Sequence, residues 1–297
     1  SAEREELAPD IPRQNRCAAE ADAIARHYTL ENLAFANEFA ALPTTHLAHV
    51  RPDRTFDLYD GLLPADDESG EKILNEVEAG RYADVLVEEV RPWSYMKFPF
   101  LRELGPQKGW YRVGPLARLA VCERIATPEA EAARVQFDEA MGGRPGTMSL
   151  AYHWARMIET LSAIEEIEQL LDDPDIEGDD LVRKGERRPE SVGVIEAPRG
   201  TLFHHYVVAD DDTVMRANLI VSTTSNNEPM NRAVESVAKK FLTGTEITEG
   251  LLNHVEVAIR AYDPCLSCAT HALGKMPLVI EIQDAEGRTL AEGKRNS

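Results

Sequence analysis

Apolar residues recur at three- and four-residue steps between Ser149 and Leu171. Leu150, Trp154, Met157, Ile158, Leu161, Ile164 and Leu171 there form one stripe of a long helix. Glu165, Glu166 and Glu168 mark its expected solvent face. Two further stripes follow, Met230–Val234–Val237–Phe241 and Leu251–Val255–Ala258–Ile259–Tyr262, the first opened by a cap signal at Asn227 and by Pro229. All three helices are expected to pack together. An Ala-rich stretch from Cys17 to Leu42 predicts one or two more helices, interrupted near Thr29 to Glu31. Strand patterns cover Phe56 to Leu63 and Val85 to Val90, with the turn-rich Pro64 to Gly70 between them. Thr201 to Val208 and Val214 to Val221 read as a hairpin turning at Asp210 to Asp212, and Pro277 to Ile282 as a last strand. Asp172 to Ser191 is a charged loop broken by Pro174, Gly178, Gly185 and Pro189, expected to be exposed and mobile. The whole predicts an α+β fold with a mainly helical core and small peripheral β-hairpins, in a single domain over residues 1–297.

Charge narrows the partners. Fifty-two acidic against thirty-two basic side chains give a net charge of -20, which repels phosphate backbones and anionic lipid surfaces, so neither nucleic acid nor membrane insertion is expected. No apolar run reaches the roughly 18 residues of a membrane span, and the first residues, S-A-E-R-E-E-L, are too charged for a secretory signal. Four cysteines with one local pair do not make a disulfide framework, and a cytoplasmic location follows as the expectation.

That local pair carries the chemistry. Asp263-Pro264-Cys265-Leu266-Ser267-Cys268-Ala269-Thr270-His271 places two thiols and an imidazole within seven residues. Pro264 excludes Asp263 from the helical region, so the preceding helix ends there and the thiols emerge at a corner. A C-x-x-C pair suits a soft metal, but zinc half-sites and thiol redox pairs share the spacing.

The longer string, Val257 to His271, closely resembles the D-P-C-x-x-C-x-x-H signature of the catalytic large subunit of nickel-iron hydrogenases. Three more segments resemble that family in the same order: Tyr111 to Leu119 (Y-R-V-G-P-L-A-R-L), Glu196 to His204 (E-A-P-R-G-T-L-F-H) and Val221 to Arg232 (V-S-T-T-S-N-N-E-P-M-N-R). The details look most like the soluble, cytoplasmic branch that reduces NAD, NADP or a related carrier, and the resemblance runs from about Arg81 to the end. Family members carry a second pair, R-x-C-G-x-C, near the N-terminus. Here Cys17 and Cys122 have no partner at that spacing, so the chain is expected to be the C-terminal part of such a large chain, with the N-terminal half missing.

The resemblance implies the following roles. Cys265 and Cys268 take the places of nickel ligands, the second bridging to an iron that carries cyanide and carbon monoxide, and His271 that of a ligand to a buried magnesium. Arg199 resembles the arginine over the open metal edge, and is otherwise an ion-pair partner for Glu196. Thr223 and Thr224 resemble the residues that hold a cyanide, and Pro198 lines the carbon monoxide side. Ser225 stands where this branch often has a His.

The implied reaction is reversible heterolytic cleavage of H2. Electrons would leave through a small subunit holding the iron-sulfur clusters, with diaphorase subunits as further partners. Nickel-insertion proteins and a peptidase that cuts after His271 would mature the site, making residues 272–297 a pro-peptide. A hydrogenase-derived scaffold or binding subunit without a working metal centre, or a simple zinc or redox protein, is the alternative. The remaining histidines read as packing residues: His204 and His205 point to opposite faces of a strand, and His46 and His49 share a helix face. Trp93, Tyr95, Phe98 and Phe100 read as core or subunit interface.

Overall fold

The computed structural model describes residues 10–142, 147–179, 181–182, 184–265 and 278–295. In chain order, α1 is Ile11–Glu31, β1 Thr45–Leu47, β2 Leu62–Asp66, β3 Lys72–Glu78, β4 Leu86–Arg91, β5 Ser94–Leu101 and β6 Tyr111–Arg112. Then come α2 Pro115–Val121, α3 Pro128–Ala140, α4 Tyr152–Leu171, β7 Glu190–Ala197, β8 Gly200–Val208 and β9 Val214–Ile220. Last are α5 Asn227–Phe241, α6 Glu249–Arg260, β10 Leu278–Gln283 and β11 Thr289–Arg295.

The three periodic stretches fold as helices α4, α5 and α6, and their stripes meet in one core. Trp154, Ile158, Leu161, Met230, Val237, Leu251 and Val255 are buried there together. Helix α1 lies along α4, and Trp154 Nε1 donates to the buried Asp22 carboxylate of α1 at 2.9 Å. Glu165 does not face solvent. Its two oxygens accept from the Glu129 and Ala130 amides, each at 2.9 Å, which satisfies N–H groups at the start of α3 that no helix carbonyl can reach.

The β structure exceeds peripheral hairpins. Strands β3-β2-β1-β6 form one sheet, antiparallel except for the parallel β1–β6 pair, and β7-β8-β9 form an antiparallel sheet. Between these sheets sits a second core of Leu47, Leu63, Tyr111, Val113, Phe203 and Ile220. Hairpin β4–β5 is anchored to α5, where Arg91 pairs with Glu228 at 2.6 Å and lies 4.0 Å over the Phe98 ring. Phe98 is buried, Phe100 half-buried and Trp93 exposed.

Three expectations need correcting. Phe56 to Leu63 is mostly not a strand, because the Asp57 carboxylate accepts from the Tyr59 and Asp60 amides and folds the chain into a turn. Strand β2 begins only at Leu62 and continues through Pro64. Strand β7 occupies the end of the expected charged loop and beyond, adding a third strand to the expected hairpin. His46 lies in strand β1, not on a helix, and His49 just after it; both are buried. The rest of the charged segment, where described, is exposed, with a short 3-10 turn at Pro174–Glu177.

Replacing Trp154 with Ala should cost about 3–5 kcal/mol, since the indole is fully buried beside Phe137. Trp154→Phe keeps most of the volume and loses the Asp22 bond, costing about 1–2 kcal/mol. Denaturant midpoints of the two variants would establish the order.

Candidate functional site

A run of six polar residues, Ser222 to Asn227, is buried throughout. Hydroxyls and amides are kept from water only when their hydrogen bonds are met inside, and here they stitch loops together. Ser222 Oγ donates to Gly200 O at 2.6 Å, and Tyr111 Oη meets Ser225 Oγ at 3.4 Å. Asn226 precedes α5 but does not cap it with its side chain. Its Oδ1 accepts from the Val113 amide at 3.1 Å and its Nδ2 donates to the Val113 carbonyl at 3.3 Å. Tyr152 Oη donates to that same carbonyl at 2.8 Å. The backbone just before Gly114 is thereby fixed from two helices.

Arg199 sits at the tip of the β7–β8 hairpin, in the two-residue link between the paired Ala197 and Gly200. Its Nε donates to Asp263 O at 2.6 Å and lies 3.4 Å from Asp263 Oδ2. Asp263 has φ 49°, a left-handed conformation, so the backbone has left the helical path before Pro264. Two residues on, the Cys265 amide donates to Thr223 Oγ1 at 3.2 Å. Arg199, Thr223 and Cys265, separated by up to 66 positions in the chain, therefore share one corner.

Glu196 is not the partner of Arg199. Its Oε2 accepts from Arg118 Nη1 at 2.6 Å, and its Oε1 from Thr201 Oγ1 at 2.6 Å and the His49 amide at 2.7 Å. Arg118 also makes a bidentate pair with Glu159, both bonds 2.6 Å. Burial lifts the Glu159 carboxyl above its usual range, against the pull of Arg118.

Of the residues singled out from the sequence, Pro198, Arg199, Thr223, Thr224 and Cys265 lie at or beside this corner, with both threonines buried. Cys268 and His271 lie outside the described residues, as does the start of the tail, 272–277. Ser225 is buried and bonded to Tyr111, so its hydroxyl has a packing partner. Arg118, Asn226 and Gly114 build the site and were not singled out; only their place inside two of the four resembling segments marked them. His204 and His205 point apart, His205 bonding Tyr82 and Glu190 while His204 meets Tyr206.

The donor chemistry suits the nickel-iron centre that the resemblance implies. Cys265 places sulfur, a soft donor atom, on a backbone that is fixed by a hydrogen bond. Thr223 accepts from the Cys265 amide through a lone pair, so its own O–H can still donate. Among the described residues no trio of His, Cys, Asp or Glu converges, at this corner or elsewhere. Cys122 is buried on the other side of α2, its thiol pushed up to about 12 by desolvation, whereas Cys17 is exposed on α1. An alkylating reagent should therefore label Cys17 in the folded protein and spare Cys122 until denaturant is added, which peptide mass mapping would detect. Thr223→Val removes the acceptor for the Cys265 amide, and hydrogen exchange at that amide should quicken roughly fivefold if the bond contributes about 1 kcal/mol.

Comparison with known proteins gives the family. Residues 23–271 match the nickel-dependent hydrogenase family, a start well before the Arg81 expected from the motifs. The chain is 48% identical to the NAD-reducing hydrogenase HoxS subunit beta of Cupriavidus necator over 87% of its own length and 54% of that protein's. It is 38% identical to an F420-non-reducing hydrogenase chain of Methanothermobacter thermautotrophicus, covering 86% of this chain and 55% of that one. Among solved structures, an NAD+-reducing [NiFe]-hydrogenase in the H2-reduced state superposes with a TM-score of 0.86 at 47% identity, over 91% of this chain and 60% of that one. A [NiFeSe]-hydrogenase of Dm. baculatum shares the fold, with a TM-score of 0.64 at 20% identity, over 91% of this chain and 60% of that one. The chain thus spans little more than half the length of these curated relatives, and it belongs to the nickel-dependent hydrogenase family.

Proposed function

We propose that this chain supplies the C-terminal share of the catalytic site of a nickel-iron hydrogenase, in which Cys265 and Cys268 would hold the metal centre through their thiolates. The observation that carries this reading is the convergence of Arg199, Thr223 and Cys265 on one corner, in a chain of this family. When bound, the nickel-iron centre supplies the redox and Lewis-acid chemistry of reversible H2 cleavage. This chain's residues set its surroundings. The Cys265 thiolate serves as ligand and as a base for a proton. Arg199, a permanent planar cation fixed by Asp263, sits where a fixed positive charge favours developing negative charge. Thr223 and Thr224 hydroxyls donate to a cyanide, Pro198 presents an apolar face to carbon monoxide, and His271 binds magnesium.

Electrons pass to NAD, NADP or a similar carrier through an iron-sulfur partner subunit in the cytoplasm. Among the described residues no helix is long and apolar enough to cross a membrane. The tail is the segment removed on maturation, by a cut after His271. Its β10–β11 hairpin docks on the helical core, with Arg295 bonded to Asn253 at 2.7 Å and Glu256 at 2.8 Å and paired with Glu249.

The 297-residue chain alone should show no H2 uptake, because it offers the metal two thiolates where the family uses four. Produced together with a polypeptide carrying R-x-C-G-x-C, the iron-sulfur partner and the maturation proteins, it should hold nickel and iron and oxidise H2. Cys265→Ser should abolish that activity, and mass spectrometry should show loss of residues 272–297 from the active material. Zinc, or no metal, in the assembled protein would overturn the reading.

A further inference from the structure

We propose that the segment from Val113 to Leu119 is a clasp that sets the position of Arg199, with Arg118 as its positioning residue; this rests on the reading of Arg199 given above. Arg118 has five N–H donors, and all five are used. Two go to Glu159 and one to Glu196. The other two reach the carbonyls of Ala197 at 2.9 Å and Pro198 at 3.4 Å, the residues immediately before Arg199. A fully buried guanidinium is costly, and an apolar side chain of similar volume would stabilise a core as well or better. What an apolar residue could not do is hold two consecutive carbonyls of the hairpin tip in a fixed direction.

Gly114, one helical turn earlier, closes the clasp from the other side. Its φ is +98°, and a Cβ there would stand 2.8 Å from the Arg199 carbonyl oxygen. Gly200 answers it with φ +132°, where a Cβ would stand 2.3 Å from Val113 Cγ2 and 2.7 Å from the Gly114 amide nitrogen. The two loops touch backbone to backbone because neither carries a side chain at the contact. Against Ala197 and Pro198 lies a cavity of about 280 Å³ lined by Phe56, Leu58, Arg156 and Ile164. Packing does not confine the tip on that side, so the bonds from Arg118 decide where it rests. Arg199 in turn places its Nε on Asp263, two residues before Cys265.

Arg118→Lys, Glu159→Gln and Gly114→Ala test this. Lys keeps the charge but has three donors on one nitrogen and cannot span two carboxylates and two carbonyls. In the full chain, hydrogen exchange over residues 197–203 should speed up at least tenfold in Arg118→Lys and Gly114→Ala and less in Glu159→Gln, while α4 keeps its protection. This readout needs no metal, so it stands apart from the hydrogenase assignment. In the assembled enzyme, nickel content should hold, the infrared bands of the iron's diatomic ligands should shift, and kcat should fall roughly 10- to 100-fold with KM for H2 little changed. Wild-type exchange at 197–203 together with unshifted bands in a fully loaded variant would overturn the clasp. So would acceleration spread evenly through α4 in all three variants, which would make Arg118 a folding residue only.

Discussion

One buried cation ties the molecule together. Arg118, from α2, is held by Glu159 of α4 and Glu196 of β7, so a single guanidinium joins the helical core to the three-stranded sheet. Its ion pairs are screened from water, and removing the guanidinium would leave two carboxylates uncompensated in the interior, at a cost of about 3–5 kcal/mol. Glu196 extends the network to the His49 amide and the Thr201 hydroxyl, reaching the chain just past β1 of the first sheet as well. The elements that carry site residues are therefore cross-braced by polar bonds rather than by apolar packing alone, and such bonds have direction.

Direction matters more here than burial. The second core is small, and its apolar contacts do not by themselves fix where a backbone group points. The Val113 backbone is fixed, since Asn226 holds both its amide and its carbonyl and Tyr152 holds the carbonyl again. A cofactor site must be met by groups already in place, because reordering them on binding would subtract from affinity. Polar groups taken out of water and fully paired supply that order.

The helices were legible because each had a stripe long enough to show its period, while Glu165 was misread because a carboxylate on a helix is usually solvated. Strand β7 was hidden because it buries only Val194 and Glu196 fully, and Glu196 looks like a surface residue until its partners are known. Phe56 to Leu63 misled because its strand-like residues surround the turn-making Asp57. At the site, Cys265 was marked by its C-x-x-C spacing, whereas Arg199 and Thr223 were legible only through family resemblance. Nothing in periodicity or charge distinguishes them. Arg118 escaped notice because its partners lie 41 and 78 residues away, and an arginine on a short helix reads as an exposed charge.

The hairpin that carries Arg199 is also a lever. Strand β8 runs nine residues from the site, about 30 Å, to an outer end at Val208. Gly200 to Val207 are laddered to β7, and Phe203 to Val208 to β9. Because the link at the inner end is only two residues long, it has no slack to absorb a twist of the strands. The exposed turn at Asp210 to Asp212 and the charged segment that feeds β7 are thus mechanically continuous with the guanidinium, although neither comes near it. A fusion, label or surface redesign at that outer end acts on a rod whose far tip is the Arg199 side chain.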